Sequence, residues 1–261
     1  MKTPISYYGG KQNMLQHILP LIPKHKTYIE PYFGGGAVFW AKAPSENEVI
    51  NDYNFQVVNF YRTLQTDFDA LKQKVDATLH SRDLYKQAKV MYYNPFLFDP
   101  VNLAWAFWIL TSQGFANIIQ TWGYTKSNQR PKSIFNKKEQ FTKEISNRLL
   151  HVQIENNEAY KVMESRWSED SFIYADPPYV GTLLGHYGGY EEIHFRRDLD
   201  VLAKTPGKFL LSSYPSEILN EYIQKHGWYS KTYSKSLSAS NGAKLNQRST
   251  KTEVLTANYP I

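Results

Sequence analysis

The sequence predicts an α/β fold in which a strand-and-helix core is interrupted by a mainly helical insertion. Three observations carry this expectation. Short apolar runs alternate with helical patterns at both ends of the chain. A glycine triplet joins the first strand to the first helix. The middle of the chain has helical periodicity followed by a polar, basic stretch.

Taken in order, Thr27-Tyr28-Ile29-Glu30 reads as a short buried strand and Gly34-Gly35-Gly36 as the tight turn after it. Residues 37–42 have helical character. Glu48-Val49-Ile50-Asn51 is a second strand, Asp52 closes it, and a helix follows over 55–64. Strand, glycine turn, helix, strand and acid is the order of a nucleotide-binding βαβ unit, although glycine triplets also serve as plain turns. Residues 67–92 and 101–113 carry amphipathic helical patterns. Trp105, Phe107 and Trp108 in the second are spaced as core residues rather than as a base-stacking platform. Residues 114–135 have weak periodicity and read as loops. Alternation resumes at His151-Val152-Gln153-Ile154. It continues through a strand at 171–175, a helix at 195–204, a strand at 208–212, a helix at 216–225 and closing strands near 228–234 and 252–257. Residues 1–64 and 151–261 are therefore expected to form a Rossmann-like core, with 65–150 as an inserted subdomain.

Composition narrows the chemistry. No apolar run approaches the ~20 residues of a membrane span, and Met1-Lys2-Thr3-Pro4 does not begin a signal peptide, so a cytoplasmic protein is expected. The absence of cysteine removes disulfides, thiolate metal sites and a thiol nucleophile. The seven histidines show no metal spacing, so no metal is expected. The formal charge of +6 is uneven. Residues 121–150 carry seven bases against Glu139 and Glu144, and 231–251 carry five bases and no acid, which leaves the remainder net acidic. Two basic segments on an acidic body suit a polyanionic partner, the alternative being an ordinary solvated face.

Asp176-Pro177-Pro178-Tyr179 follows the apolar run Ser171-Phe172-Ile173-Tyr174-Ala175. A strand that ends in an acid and two prolines cannot continue its ladder or enter a helix at once. It presents a carboxylate, backbone carbonyls and an aromatic ring together at the rim of a sheet. That set suits gripping a planar base by its amino group while stacking on its face. A proline-rich turn with a capping aspartate is the alternative.

Together these motifs resemble the Dam-type, alpha-group DNA adenine methyltransferases. Tyr7-Tyr8-Gly9-Gly10-Lys11 is similar to that family's aromatic-x-Gly-Gly-Lys, and Glu30-Pro31-Tyr32-Phe33-Gly34-Gly35-Gly36 to its Glu-Pro-Phe-x-Gly-x-Gly, with Tyr32 replacing the usual Phe. Asn51-Asp52-Tyr53-Asn54 resembles its acid-x-Asn element. Asp176 to Tyr179 matches its catalytic motif, and Lys251-Thr252-Glu253-Val254-Leu255 looks like its last strand. The order, with an insertion between glycine motif and catalytic motif, resembles the alpha arrangement, in which the inserted segment recognises the DNA target.

The resemblance implies a site-specific enzyme that moves a methyl group from S-adenosylmethionine to the exocyclic amine of a flipped adenine in duplex DNA. It also implies a possible cognate restriction endonuclease. Catalysis would fall to Asp176, Pro177, Pro178 and Tyr179. Asp176 would accept one amino hydrogen and the Pro177 carbonyl the other, so that the delocalised amine becomes nucleophilic. Tyr179 would stack on the base. The cofactor set would be Tyr7, Lys11, Glu30, Tyr32, Gly34, Gly36, Asp52, Asn157 and Asp176. Glycines 34 and 36 would allow close backbone approach, Lys11 would pair with the cofactor carboxylate, and Tyr32 would add a hydroxyl beside it. Asp52 would accept from the ribose hydroxyls, or else cap the following helix. Residues 181–190, with Gly185, Gly188 and Gly189, would form a loop over the base, or a plain connection. Lys126, Arg130, Lys132, Lys244 and Arg248 are the expected DNA contacts. A cytosine amino-methyltransferase would use the same grip, and a noncatalytic DNA-binding module on the same fold would not need to bind the cofactor.

Overall fold

A computed structural model describes residues 1–7, 9–115, 119–124, 132–179, 189–236 and 250–261, apart from the side chains of Lys132, Ser133, Lys235, Ser236, Thr250 and Lys251. In chain order the elements are helix α1 (Leu15–Ile18), strand β1 (Thr27–Glu30), α2 (Ala37–Ala41), β2 (Asn47–Asn51), α3 (Phe55–Thr66), α4 (Phe68–Ala77), α5 (Arg82–Tyr93) and α6 (Pro100–Gln113). There follow α7 (Lys132–Gln140), α8 (Lys143–Leu149), β3 (Val152–Glu155), α9 (Ala159–Arg166), β4 (Ser171–Ala175), α10 (Glu192–Lys204), β5 (Lys208–Ser213), α11 (Glu217–His226), β6 (Tyr229–Ser236) and β7 (Thr250–Ala257). The fold is mixed α/β, as the alternation predicts.

Two compact units divide the chain, Met1–Leu19 with Phe33–Glu158 and Pro20–Tyr32 with Ala159–Ile261. Residues 65–150 lie wholly within the first.

In the first unit β2 and β3 pair in parallel, from Glu48 opposite Val152 to Asn51 opposite Glu155. Its core is built on α6, which packs against α3, α4, α5 and α7. Leu103, Ala104, Ala106, Phe107, Trp108, Ile109 and Leu110 are all buried, so apolar residues surround the helix rather than striping it. Asp99 caps it through Asn102 N–H, with Pro100 at the first helical position. Trp105, at the helix edge, donates its indole N–H to Thr78 Oγ1 at 2.7 Å. Phe107 and Trp108 are core residues, as their spacing indicates, whereas Trp105 is half-buried.

The helical patterns over 67–92 fall on α4 and α5, divided at residues 78–81, where Ser81 caps α5 through Leu84 N–H. One local expectation needs correction. The stretch 114–135 is not loop throughout, since α7 begins at Lys132. In that helix Ile134 is buried while Phe135 is exposed, so one deep apolar anchor leaves almost no periodic signal to read.

The basic excess of 121–150 is also partly engaged inside the unit. Arg148 pairs with buried Glu48, its Nη2 donating at 2.8 Å, and lies over the Phe39 ring at 3.8 Å. Lys42 donates to the same carboxylate at 2.6 Å, and these two cations hold it below the usual carboxylate range against its burial. Lys137 donates to Thr3 O, and burial, then Lys2, pushes its ammonium down to about 8. Lys138 donates to Asp76 O, and Lys143 lies 3.8 Å from Asp69.

Among the described residues of the second unit five strands run in the order β1-β4-β5-β7-β6. β1, β4 and β5 are parallel, while β7 returns antiparallel between β5 and β6. All five residues of β4 are buried, which is the continuous apolar character of a parallel strand covered on both faces. Pro177 and Pro178 end it by removing two ladder donors. α10 packs against α9 and α11. Among the described residues no helix is long and apolar enough to cross a membrane.

Candidate active site

In the first unit the glycine turn is held from three sides. Gly34 N–H donates to Asp52 Oδ2 at 2.8 Å, and Tyr61 OH donates to Gly34 O at 3.2 Å. The third side is the Tyr7 ring: a Cβ on Gly34 would lie 2.7 Å from Tyr7 Cδ1. A Cβ on Gly36 would meet the Phe33 ring at 2.4 Å. Both glycines have positive φ, 47° and 63°, where L side chains are strained. The turn therefore needs glycine because aromatic rings of this chain lie against it. Tyr7 and the glycine motif, separate in sequence, form one packed unit.

Asp52 sits at the end of β2 with only 6% of its surface exposed. Its second oxygen accepts Asn54 N–H at 2.8 Å. Burial pushes the carboxyl up to about 6, against the opposing effect of these two backbone donors. The capping alternative is excluded: α3 is capped by Asn54, which accepts from Gln56 N–H. Lys11 is buried at 6% exposure, next to the Gly9-Gly10 turn, and reaches Gly9 O at 3.5 Å. Asn51 clamps the backbone of Asn157, donating to its carbonyl and accepting from its N–H. Asn156 donates to Asp52 O. These bonds fasten the loop after β3 to the loop after β2. The Asn157 side chain itself accepts from Glu158 N–H, on an exposed residue.

In the second unit Glu30, 2% exposed at the end of β1, accepts from Tyr28 OH at 2.6 Å. The Tyr32 hydroxyl donates to Asp198 of α10, and Tyr190 donates to the same oxygen at 2.6 Å. The hydroxyl that distinguishes Tyr32 from phenylalanine is thus engaged by a buried acid. Burial raises the Asp198 carboxyl above its ordinary value, and the two hydroxyl donors oppose this.

The ends of β4, β5 and β7 bring a further group together. Register places Ala175 opposite Leu211 and Ser212 opposite Leu255, so Asp176, Ser212 and Glu253 emerge close to one another. Tyr179 OH donates to Glu253 Oε1 at 2.9 Å and lies 3.3 Å from Asp176 Oδ1 and 3.4 Å from Ser212 Oγ. Ser212 donates to the same Glu253 oxygen at 2.7 Å. Burial, then the adjacent carboxylates of Asp176 and Glu253, holds the Tyr179 phenol well above its ordinary value, so it stays protonated. Its ring lies 4.0 Å from that of Tyr214, tilted by 37°. Asp176 caps no described helix. A cleft of about 300 Å³ opens beside Pro177, Pro178, Tyr179 and Tyr214. Among the described residues Asp176 is not one of its walls, and Glu192, Glu217 and Glu221 line it against a single cation, Arg196, so its lining is net acidic and unsuited to a polyanion.

Sequence reasoning missed Ser212, Tyr214, Asp198 and the role of Glu253. A polar pair, Ser212-Ser213, closing the apolar strand β5 was the available signal. Lys126, Arg130, Lys244, Arg248 and the Lys132 side chain lie outside the described residues, as do most residues of the expected 181–190 loop. Among the described residues no His, Asp and Glu cluster of metal-binding geometry occurs.

The sequence model of the D12 class N6 adenine-specific DNA methyltransferases matches residues 7–247. Among curated proteins, the chain is 27% identical to the type II methyltransferase M1.LlaDCHI of Lactococcus lactis subsp. cremoris, over 96% of this chain and 93% of that one. It is 26% identical to the modification methylase LlaI of Lactococcus lactis subsp. lactis over 99% of this chain, which spans 43% of that longer protein. A DNA adenine methylase of Vibrio cholerae is 24% identical over 67% of this chain and 64% of its own length.

Proposed function

The chain belongs to the D12 class of N6 adenine-specific DNA methyltransferases, and we propose a specific division of labour among its residues. The reaction is transfer of a methyl group to adenine in DNA. The methyl donor of this class is S-adenosylmethionine, which when bound supplies an electrophilic methyl group on a sulfonium. The residues of the first unit fit its amino-acid and ribose portions. Lys11 is a buried cation suited to its carboxylate, and Asp52 a buried carboxylate suited to ribose hydroxyls. Tyr7, Gly34, Gly36 and Asn157 shape the surroundings of that pair, and Glu30 and Tyr32 belong to the same set.

Asp176 accepts one hydrogen of the adenine amine and the Pro177 carbonyl the other. This grip draws the nitrogen lone pair out of the ring and stabilises the positive charge that develops on nitrogen. Tyr179 stacks on the extruded base, which offsets part of the few kcal/mol that flipping costs. The inserted segment 65–150 reads the target, with Lys126, Arg130, Lys132, Lys244 and Arg248 on phosphates or base edges of duplex DNA. The enzyme acts in the cytoplasm, alongside a cognate restriction endonuclease if it is one half of a restriction-modification pair.

The observation that carries the catalytic assignment is the convergence of Asp176, Tyr179, Ser212 and Glu253 at one end of β4, β5 and β7. Asp176→Ala tests it: transfer is expected to fall at least ~100-fold, the scale of one lost charge-stabilising group, while duplex binding persists. Near-normal transfer by that variant would remove Asp176 from the chemistry.

A further inference from the structure

We propose that Glu253 is a positioning residue that captures the Tyr179 hydroxyl hydrogen and keeps it from the carboxylate oxygen of Asp176 that must grip the substrate amine. This rests on the catalytic role given above to Asp176.

The geometry sets up a competition. Tyr179 has one hydroxyl hydrogen, and among the described residues three side-chain oxygens stand within its reach: Glu253 Oε1 at 2.9 Å, Asp176 Oδ1 at 3.3 Å and Ser212 Oγ at 3.4 Å. The shortest contact goes to Glu253. Ser212 reinforces that choice, because its own hydroxyl donates to the same Glu253 oxygen at 2.7 Å and so fixes the carboxylate in place. With its hydrogen so committed, the Tyr179 oxygen turns toward Asp176 without a proton to offer. The phenol remains protonated in this surrounding, so it always has a hydrogen to place somewhere.

Removing Glu253 changes the destination. Asp176 Oδ1 and Ser212 Oγ are then the remaining acceptors of the three, at nearly equal distance. A carboxylate is a far stronger acceptor than a hydroxyl. The hydrogen therefore moves to Asp176, withdraws charge from that oxygen, and competes with the adenine amine for it. Glu253 acts on the chemistry through Tyr179. It is carried on β7, whose place beside β5 is fixed by the pairing of Ser212 with Leu255 and Ser213 with Val254.

A double-mutant cycle on the full chain reads this directly, with S-adenosylmethionine and duplex DNA carrying the recognition site as substrates. With Tyr179 in place, Glu253→Ala is expected to lower kcat roughly 10–100-fold, the range one charge-assisted hydrogen bond commands, with both KM values within about threefold. In a Tyr179→Phe background the hydroxyl is gone, and the same Glu253→Ala change is expected to lower kcat by less than about threefold. Glu253→Gln keeps an acceptor oxygen and is expected to recover most of the loss. If melting shows that Glu253→Ala does not fold, Glu253→Met, which keeps the side-chain length without an acceptor, takes its place in both backgrounds. An equal loss with and without the Tyr179 hydroxyl overturns the proposal, since a purely structural Glu253 predicts that result. Undiminished transfer by Asp176→Ala would instead overturn the catalytic assignment on which it rests.

Discussion

Replacing Gly34 with alanine meets two separate obstacles. A φ of 47° lies in the left-handed region, where a Cβ costs about 1–2 kcal/mol. The new Cβ would also lie 2.7 Å from Tyr7 Cδ1 and 3.0 Å from Cε1, well inside van der Waals contact. The Tyr7 ring is backed by Phe107 at 6.3 Å between centroids, so it cannot retreat freely, and overpacking of this kind costs roughly 1–3 kcal/mol more. The expected total is about 2–5 kcal/mol. Gly227 provides the control. It caps α11 with a φ of 66°, and nothing lies within 4 Å of the Cβ it would gain, so its alanine variant carries only the backbone cost. Urea unfolding followed by circular dichroism separates the two, and truncating Tyr7 to alanine should recover the steric part of the Gly34→Ala loss. Equal destabilisation by Gly34→Ala and Gly227→Ala would refute the packing of Tyr7 on the glycine turn.

Three further outcomes are expected. Asp52 has a folded pKa of about 6, above its ordinary 3.8, so the folded state holds its proton more tightly than the unfolded one. Its contribution to stability is complete below about pH 4 and lost as pH rises through about 6, up to ~3 kcal/mol in all, and Asp52→Asn should flatten that segment of a stability-against-pH curve. A slope unchanged by the substitution would assign it to another group. Glu48→Ala should cost about 3–5 kcal/mol by stranding Lys42 and Arg148 inside the protein, measurable by denaturant titration; a cost under about 1 kcal/mol would mean that the pair is solvated. Charge reversal at Arg130 and Lys132 should weaken duplex binding and reduce the slope of log K against log salt by about 0.9 for each phosphate no longer neutralised, whereas an unchanged slope would place the DNA face elsewhere.

The legible parts of this fold are those where local chemistry and tertiary environment agree. β4 could be bounded to the residue because it is wholly apolar and two prolines end it. The edges of β6 and β7 were read two residues short, where polar residues continue a ladder that only pairing sustains. The helix α7 was hidden because Ile134 is its one buried anchor, among the described side chains, in a run of polar and basic residues. Charge counting found a basic segment but could not show that Arg148 faces Glu48 or that Lys137 reaches Thr3 O. At the candidate site, Asp176 and Tyr179 announced themselves through proline-imposed geometry. Glu253 and Ser212 did not, because 74 and 33 residues separate them from Tyr179 and strand register alone brings them within reach. The glycine motif was read correctly as a special turn, yet its neighbour Tyr7 could be tied to Gly34 only by packing.

The most direct test of the central claim is transfer of labelled methyl from S-adenosylmethionine to mixed-sequence duplex DNA, by the unaltered chain and by Asp176→Ala, with nucleoside analysis of the product. Label in N6-methyladenine with the unaltered chain, and none with the variant, is the predicted result. Label in methylcytosine, or equal label from both proteins, would contradict the assignment.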